Sequence, residues 1–222
     1  VFKKNVFRNL KDKYKVILAD PPWSFRTYGE KNGTGKDKSA EQHYNCMNLN
    51  DIKKLPIKTI ADKKSVLFLW TTDTHIHYAL DVINAWGFEF KTIGFHWAKV
   101  CRKSDKLFTG LGYYTRANNE TCLLAVPKGG KCPERKSKGV HRTLLDGMNE
   151  VEMASYINDL RDEISYLKTG TPDASTIISR LREHSRKPEE QYDRIEALFD
   201  GPYCELFARH TRNNWSVWGN EV

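Results

Sequence analysis

Long apolar runs are missing from this chain. None approaches the ~20 residues that a membrane-spanning helix needs, and a mean hydropathy of -0.65 points to solvated segments between the apolar ones. The first residues, Val1-Phe2-Lys3-Lys4-Asn5-Val6, carry charge without an apolar stretch, so no signal peptide is expected. A C-x-x-C pair is also absent. The five cysteines, Cys46, Cys101, Cys122, Cys132 and Cys204, are odd in number and mostly lie in apolar contexts, which predicts reduced thiols in a cytoplasmic protein. The only close histidine pair, His75 and His77, is two residues apart at the start of a predicted helix. Those side chains therefore face different ways, and no metal site is expected. A nucleotide-triphosphate loop is excluded as well. Gly29 to Gly35-Lys36 has one residue too many, and Asp37 stands where Ser or Thr is required.

Charge of one sign is in excess. The net charge of +8 favours a polyanionic partner, nucleic acid first. Its distribution is uneven: the window Lys128 to Arg142 holds six basic residues, Arg135, Lys136 and Lys138 among them, against the single acid Glu134, and so carries +5. Gly129, Gly130, Pro133 and Gly139 make this window a loop, suited to lie along a phosphate backbone. Gly29–Ser39, rich in Gly and Lys, reads as a second loop of that kind.

A length of 222 residues, 39% of them hydrophobic and 12% aromatic, fits one domain with a real core. Strands are predicted at Tyr14–Ala19, Ser65–Thr71, Lys91–Lys99, Thr121–Pro127, Thr176–Leu181, Tyr203–Ala208 and Trp215–Trp218. Val66-Leu67-Phe68-Leu69-Trp70 is almost wholly apolar, as in a strand covered on both faces. A helix is predicted from Thr74, with Asp73 as cap, a stripe of Ile76, Ala79, Leu80, Ile83 and Trp86, and Gly87 as stop. Another runs from Pro188 to Phe199, with Glu189 and Glu190 at its positive end and Gly201-Pro202 beyond it. This alternation implies a doubly wound α/β sheet. Residues 144–173 read as a helical insertion. Its stripe of Met153, Ile157, Leu160, Ile164 and Leu167 serves either to pack on the parent domain or as a homodimer or substrate-positioning arm.

The most informative stretch is Asp20-Pro21-Pro22-Trp23. It follows the apolar run Val16-Ile17-Leu18-Ala19, at the strand edge where open α/β sheets hold ligands. Neither proline has an N–H, so both carbonyls are expected to be free acceptors in a rigid frame. Asp20 adds two acceptor oxygens and Trp23 a flat apolar face. An acceptor-rich pocket beside a π surface suits a planar ring bearing an exocyclic amine.

With its companions in chain order, the tetrapeptide resembles the MT-A70 adenine-N6 methyltransferases, compact phage and bacterial members above all. The companions are the strand ending in Trp70, His184-Ser185-Arg186-Lys187-Pro188, Glu205-Leu206-Phe207-Ala208-Arg209 and Asn214-Trp215 through Gly219-Asn220. The resemblance implies a Rossmann-like methyltransferase fold with rearranged motif order, the catalytic strand early and the cofactor strand late. The absence of a G-x-G-x-x-G near residue 20 agrees with that order. It implies S-adenosyl-L-methionine as methyl donor and adenine in DNA as substrate, with RNA, or a catalytically silent nucleic-acid-binding subunit, as alternatives. By the same resemblance Asp20 and the Pro21 carbonyl accept from the adenine amine, with Pro22 and Trp23 completing the catalytic motif. Trp23 and Tyr44 line the target-base pocket. Asp20, Lys187, Phe207, Arg209, Asn220 and Glu221 surround the cofactor, Lys187 facing its carboxylate and Arg209 and Asn220 its ribose. Arg186 is expected to pair with Glu190. Arg135, Lys136 and Lys138 are expected to hold the nucleic-acid backbone.

Overall fold

The computed structural model describes residues 6–10, 13–23, 46–101, 108–110, 112, 114–137, 145–146, 177–180 and 186–219. Eight strands form one sheet: β1 (Tyr14–Ala19), β2 (Ala61–Thr72), β3 (Phe88–Val100), β4 (Glu120–Pro127), β5 (Leu145–Asp146), β6 (Ile177–Arg180), β7 (Tyr203–Leu206) and β8 (Trp215–Trp218). Their spatial order is β5-β6-β3-β4-β2-β1-β7-β8. Every pairing is parallel except the two made by β4, which runs backwards between β2 and β3. Helices α1 (Leu49–Lys53), α2 (Ile76–Ala85) and α3 (Glu190–Leu198) connect the strands. The result is the mostly parallel α/β sheet that the strand and helix pattern predicts. β1, which leads into Asp20, is early in the chain, and its neighbour β7 is late.

Alternation along the strands divides the core into two layers. Ile17, Ala19, Leu67, Leu69, Leu123 and Ala125 face α1 and α2, meeting Ile52, Val82, Ile83 and Trp86. Val16, Leu18, Phe68, Trp70, Phe95 and Trp97 face the opposite way and meet Tyr192, Ile195 and Phe199 at α3. Asp20 lies just past Ala19, and Pro21 and Pro22 have no N–H with which to continue the ladder, so β1 ends there.

Several boundaries differ from those the sequence predicts. The segment at Asp73 opens as a 3-10 turn over Asp73–His75 and becomes α-helical only at Ile76, with no side-chain cap. Thr72 and Thr74 instead hydrogen-bond His75 Nδ1 at 2.8 and 3.0 Å, a local cluster that competes with capping. The buried face of α2 is also rotated from the expected stripe: Val82 is buried, whereas Ile76 and Leu80 are exposed. Gly87 does end the helix, at φ +83, in the left-handed region that favours glycine. Of the segment read as a helical insertion, only Leu145–Asp146 is described, as a short strand paired with β6; the stripe from Met153 to Leu167 lies outside the described residues. No helix among the described residues is long and apolar enough to cross a membrane.

The turn after β8 is built for glycine. A Cβ at Gly219 would run into the backbone of Ala208, whose N–H bonds Trp218 O at 3.0 Å. Gly219→Ala is therefore expected to cost about 1–3 kcal/mol, because backbone and not a flexible side chain must give way. A lower urea midpoint at unchanged m-value checks this.

Candidate active site

β4 runs antiparallel, so its first residue arrives at the edge where β1 and β2 end. Glu120 pairs with Thr72 on one side and Trp97 on the other. Asp20 reaches the same edge from β1, its N–H 3.5 Å from Leu206 O. Between the two carboxylates stands Lys187, in the turn that leads into α3. Its Nζ donates to Asp20 Oδ2 at 2.7 Å and lies 2.8 Å from Glu120 Oε2. The Lys187 and Glu120 side chains are each 7% exposed, and that of Asp20 is 34% exposed. Lys99, from β3, meets the other oxygen of Glu120 at 2.6 Å. Indoles floor the cluster: Lys187 Nζ lies 5.5 Å from the Trp70 ring centroid and 6.0 Å from that of Trp97. Trp70 Nε1 donates to Gln191 Oε1 on α3 at 2.7 Å.

Charge balance fixes the protonation states. Burial resists ionisation of Glu120, but Lys187 and Lys99 prevail and bring its carboxyl down to about 2. Burial likewise opposes the Lys187 cation, and Asp20 and Glu120 reverse that, so it stays protonated. For Asp20 burial wins. Its carboxyl is raised, with Lys187 pulling down, Glu120 pushing up and Arg209 pulling down. Asp20 Oδ1 receives no hydrogen bond from the described residues, so an acceptor stands open beside the buried ion pair.

A second carboxyl lies next along the edge. Glu205 on β7 accepts from the Tyr192 hydroxyl through both oxygens, at 3.0 Å each. Burial pushes its pKa up to about 7, against the Tyr192 hydrogen bond, and Asp20 adds to the rise. Arg212 stacks on the Tyr192 ring at 3.9 Å and pairs with Glu189. Arg186 also pairs with Glu189, at 3.0 Å; the side chain of Glu190, its expected partner, lies outside what is described.

The other expected site residues are placed as follows. The two proline carbonyls are not free. Pro21 O accepts from Trp23 N at 2.8 Å and Pro22 O from Met47 N at 3.0 Å, because the returning segment 46–47 closes on the tetrapeptide. Each keeps a second lone pair. Trp23 is buried at 6% exposure, donates Nε1 to Trp70 O at 3.1 Å and packs near His75. Phe207 takes φ 65 and lies edge-on to Trp218 at 5.4 Å. Tyr44, Lys138, Asn220 and Glu221 lie outside the described residues. Arg135 and Lys136 are exposed at the opposite edge of the sheet, about 20 Å from Asp20 at the usual rise along the six residues of β1. Lys136 caps α3 there, its N–H on Leu198 O at 2.8 Å and its Nζ on Glu196 O at 3.2 Å.

Sequence reasoning missed Glu120, Lys99, Gln191 and Tyr192 as members of this edge. The one signal for Glu120 was an acid directly before the apolar run Thr121–Pro127, and it sits in an Asn-x-Thr string that invites a different reading.

The edge fits the polar ends of S-adenosylmethionine. A carboxylate, an ammonium and a ribose diol need cations and acceptors close together, and Lys187, Arg209, Asp20 and Glu205 offer both. An incoming carboxylate would compete with Asp20 and Glu120 for Lys187.

Glu205 gives a pH prediction. Between about pH 4.5 and 7 the unfolded chain releases this proton while the folded chain keeps it, so stability falls as pH rises through that window and levels off above it. Glu120, held at about 2, contributes a constant amount above pH 4.5. Glu205→Gln is therefore expected to reduce the loss of stability between pH 5 and pH 8 by about 1–3 kcal/mol, read from urea melts at both pH values.

Comparison with known proteins relates the chain to adenine methyltransferases. The chain is 29% identical to the Type II methyltransferase M.MunI of Mycoplasma sp, across 95% of this chain and 78% of that protein. It is 26% identical to the human N(6)-adenosine-methyltransferase catalytic subunit METTL3 and 24% identical to the human N(6)-adenine-specific methyltransferase METTL4, spanning 28% and 38% of their lengths. The MT-A70 family model matches residues 14–221, from the first residue of β1 past the end of β8, and the chain belongs to that family of S-adenosylmethionine-dependent adenine-N6 methyltransferases.

Proposed function

We propose that this protein transfers a methyl group to N6 of adenine in DNA, with S-adenosyl-L-methionine as donor. The observation that carries the reading is the open Asp20 Oδ1 beside a Lys187 buried between two carboxylates. The adenine amine is a poor nucleophile because its lone pair is delocalised into the ring. Asp20 Oδ1 and the second lone pair of Pro21 O accept from its two N–H bonds and draw that pair back onto nitrogen. The cofactor, when bound, supplies an electrophilic methyl on a sulfonium. Asp20, in its ionised form and paired with Lys187, stabilises the positive charge that grows on N6 and is placed to take the proton that N6 loses. Lys187 and Arg209 orient the donor's carboxylate and ribose, with Phe207, Asn220 and Glu221 completing that side. Trp23 fixes the tetrapeptide through its bond to Trp70 O, and with Tyr44 it backs the base pocket.

Adenine's amine lies inside a duplex, so the base must be flipped out or offered on a single strand. DNA is favoured over RNA by the likeness to compact phage and bacterial enzymes and by the match along most of the length of M.MunI. Arg135, Lys136 and Lys138 then contact the backbone at a distance from the flipped base, and a homodimer through the 144–173 segment remains part of this reading.

Tritium transfer from labelled S-adenosylmethionine to single-stranded DNA, duplex DNA and RNA, side by side, tests the proposal. DNA is expected to be the best acceptor, and Asp20→Ala to lower the rate at least ~10²-fold. Preferred transfer to RNA would move the substrate to that class, and activity surviving in Asp20→Ala would overturn the mechanism. Replacing Arg135, Lys136 and Lys138 by Gln is expected to weaken DNA binding equally at all sequences. It should also flatten the dependence of log K on log salt by up to about 3, as measured by fluorescence anisotropy across a salt series.

A further inference from the structure

Lys99 stands in the site without a part in the reaction as described. Its backbone is clamped on both sides by Asn118, whose Oδ1 accepts from Lys99 N and whose Nδ2 donates to Lys99 O, each at 2.9 Å. Its ammonium is 2.6 Å from Glu120 Oε1 and 5.3 Å from the Trp97 ring centroid. The same ring carries the Lys187 ammonium at 6.0 Å, and its Nε1, fully buried, has no hydrogen-bond partner among the described residues. The indole is thus positioned by two cations and by packing. The ion chain runs Lys99, Glu120, Lys187, Asp20: Glu120 and Lys187 are buried, Lys99 is half-buried, and Asp20 keeps an open oxygen.

We propose that Lys99 is a positioning residue for the methyl-transfer site: it supplies the second cation that lets Glu120 and Asp20 both be anions around one buried lysine, and so keeps Asp20 able to accept from the substrate amine. Two carboxylates and two ammonium groups make the chain neutral. Without Lys99, two carboxylates share Lys187 alone, one negative charge is left in a dry site, and one of the carboxyls takes up a proton instead. The groups facing the pair from neighbouring elements do not replace it. Glu205 on β7 is an acid and brings no cation, the Cys122 thiol on β4 is kept neutral by burial, Tyr192 on α3 is engaged with Glu205, and the charge of Arg209 acts on Asp20. Loss of Lys99 also frees Lys187 to move fully onto whichever carboxylate stays charged. Where that is Asp20, the tighter ion pair competes with the substrate amine for its oxygens.

The inference rests on the proposed reaction for its consequence, but not for its test. Carbon-13 spectra of protein labelled at the Asp and Glu carboxyls, taken from pH 4 to 9 without ligands, follow the coupled titration in the wild type, Lys99→Met and Lys99→Arg. The wild-type curve is the reference for the coupled Asp20 and Glu120 carboxyls. Lys99→Met is expected to take up a proton with an apparent midpoint at least about one pH unit higher. Lys99→Arg should keep the wild-type curve, since a guanidinium restores the charge. Single-turnover methyl transfer by Lys99→Met should show the same protonation as an acid limb. Activity should fall about tenfold for each pH unit below the new midpoint and be largely recovered at high pH. A Lys99→Met carboxyl titration identical to the wild type would overturn the proposal, as would a rate loss equal at every pH and not restored by arginine. Absence of methyl transfer in the wild type would count against the reaction alone, because the carboxyl titration still decides the role of Lys99.

Discussion

One ammonium organises this molecule's functional edge. Lys187 is held by two carboxylates that come from strands far apart in the chain, and the Asp20 it binds is 167 residues away. Such a buried arrangement is not there for stability. Removing charges from water costs several kcal/mol per ion, and the attraction between them does little better than offset this. A lysine and two acids so placed make sense as a site whose charges must be present when a ligand arrives. The surrounding structure follows from that demand. Two indoles cover the ammonium where water would otherwise enter, Gln191 fixes one of them from α3, and the turn before α3 sets the lysine at the height of both carboxylates.

Half of this arrangement is legible in the sequence. Asp20-Pro21-Pro22-Trp23 after an apolar run gives a strand and its end, since prolines cannot continue a ladder. Lys187 and Arg209 carry recognisable motifs around them. Glu120 and Lys99 are not legible, because nothing local marks an acid as buried. Its burial depends on β4 turning back between β2 and β3, where Glu120 pairs with Trp97 and Thr72, 23 and 48 positions away. The proline carbonyls mislead for a related reason. Their lack of N–H neighbours within the tetrapeptide is visible, but the partner Met47 arrives from a different segment. The basic window is visible in the sequence as basic and exposed. Its distance from Asp20 is invisible there, because an antiparallel strand reverses which end of the sheet a following loop leaves from.

That reversed strand explains why the two carboxylates do different work. A sheet of parallel strands brings only strand C-termini, followed by turns, to its ligand-binding edge. Residues there, like Asp20, sit beyond the last rung on a chain that is leaving the sheet. β4 brings an N-terminus to the same edge, so Glu120 is still within the ladder, paired with Thr72 and Trp97 on either side. One carboxylate is thereby locked by backbone pairing and nearly sealed from water, and the other is presented on a proline turn with an oxygen open. A fixed anion is the better anchor for a buried lysine, and a presented one is the better acceptor for an amine that must enter and leave. If both acids sat on rungs, neither would reach the substrate. If both sat on turns, Lys187 would have no fixed partner, and its position would follow whichever carboxylate moved.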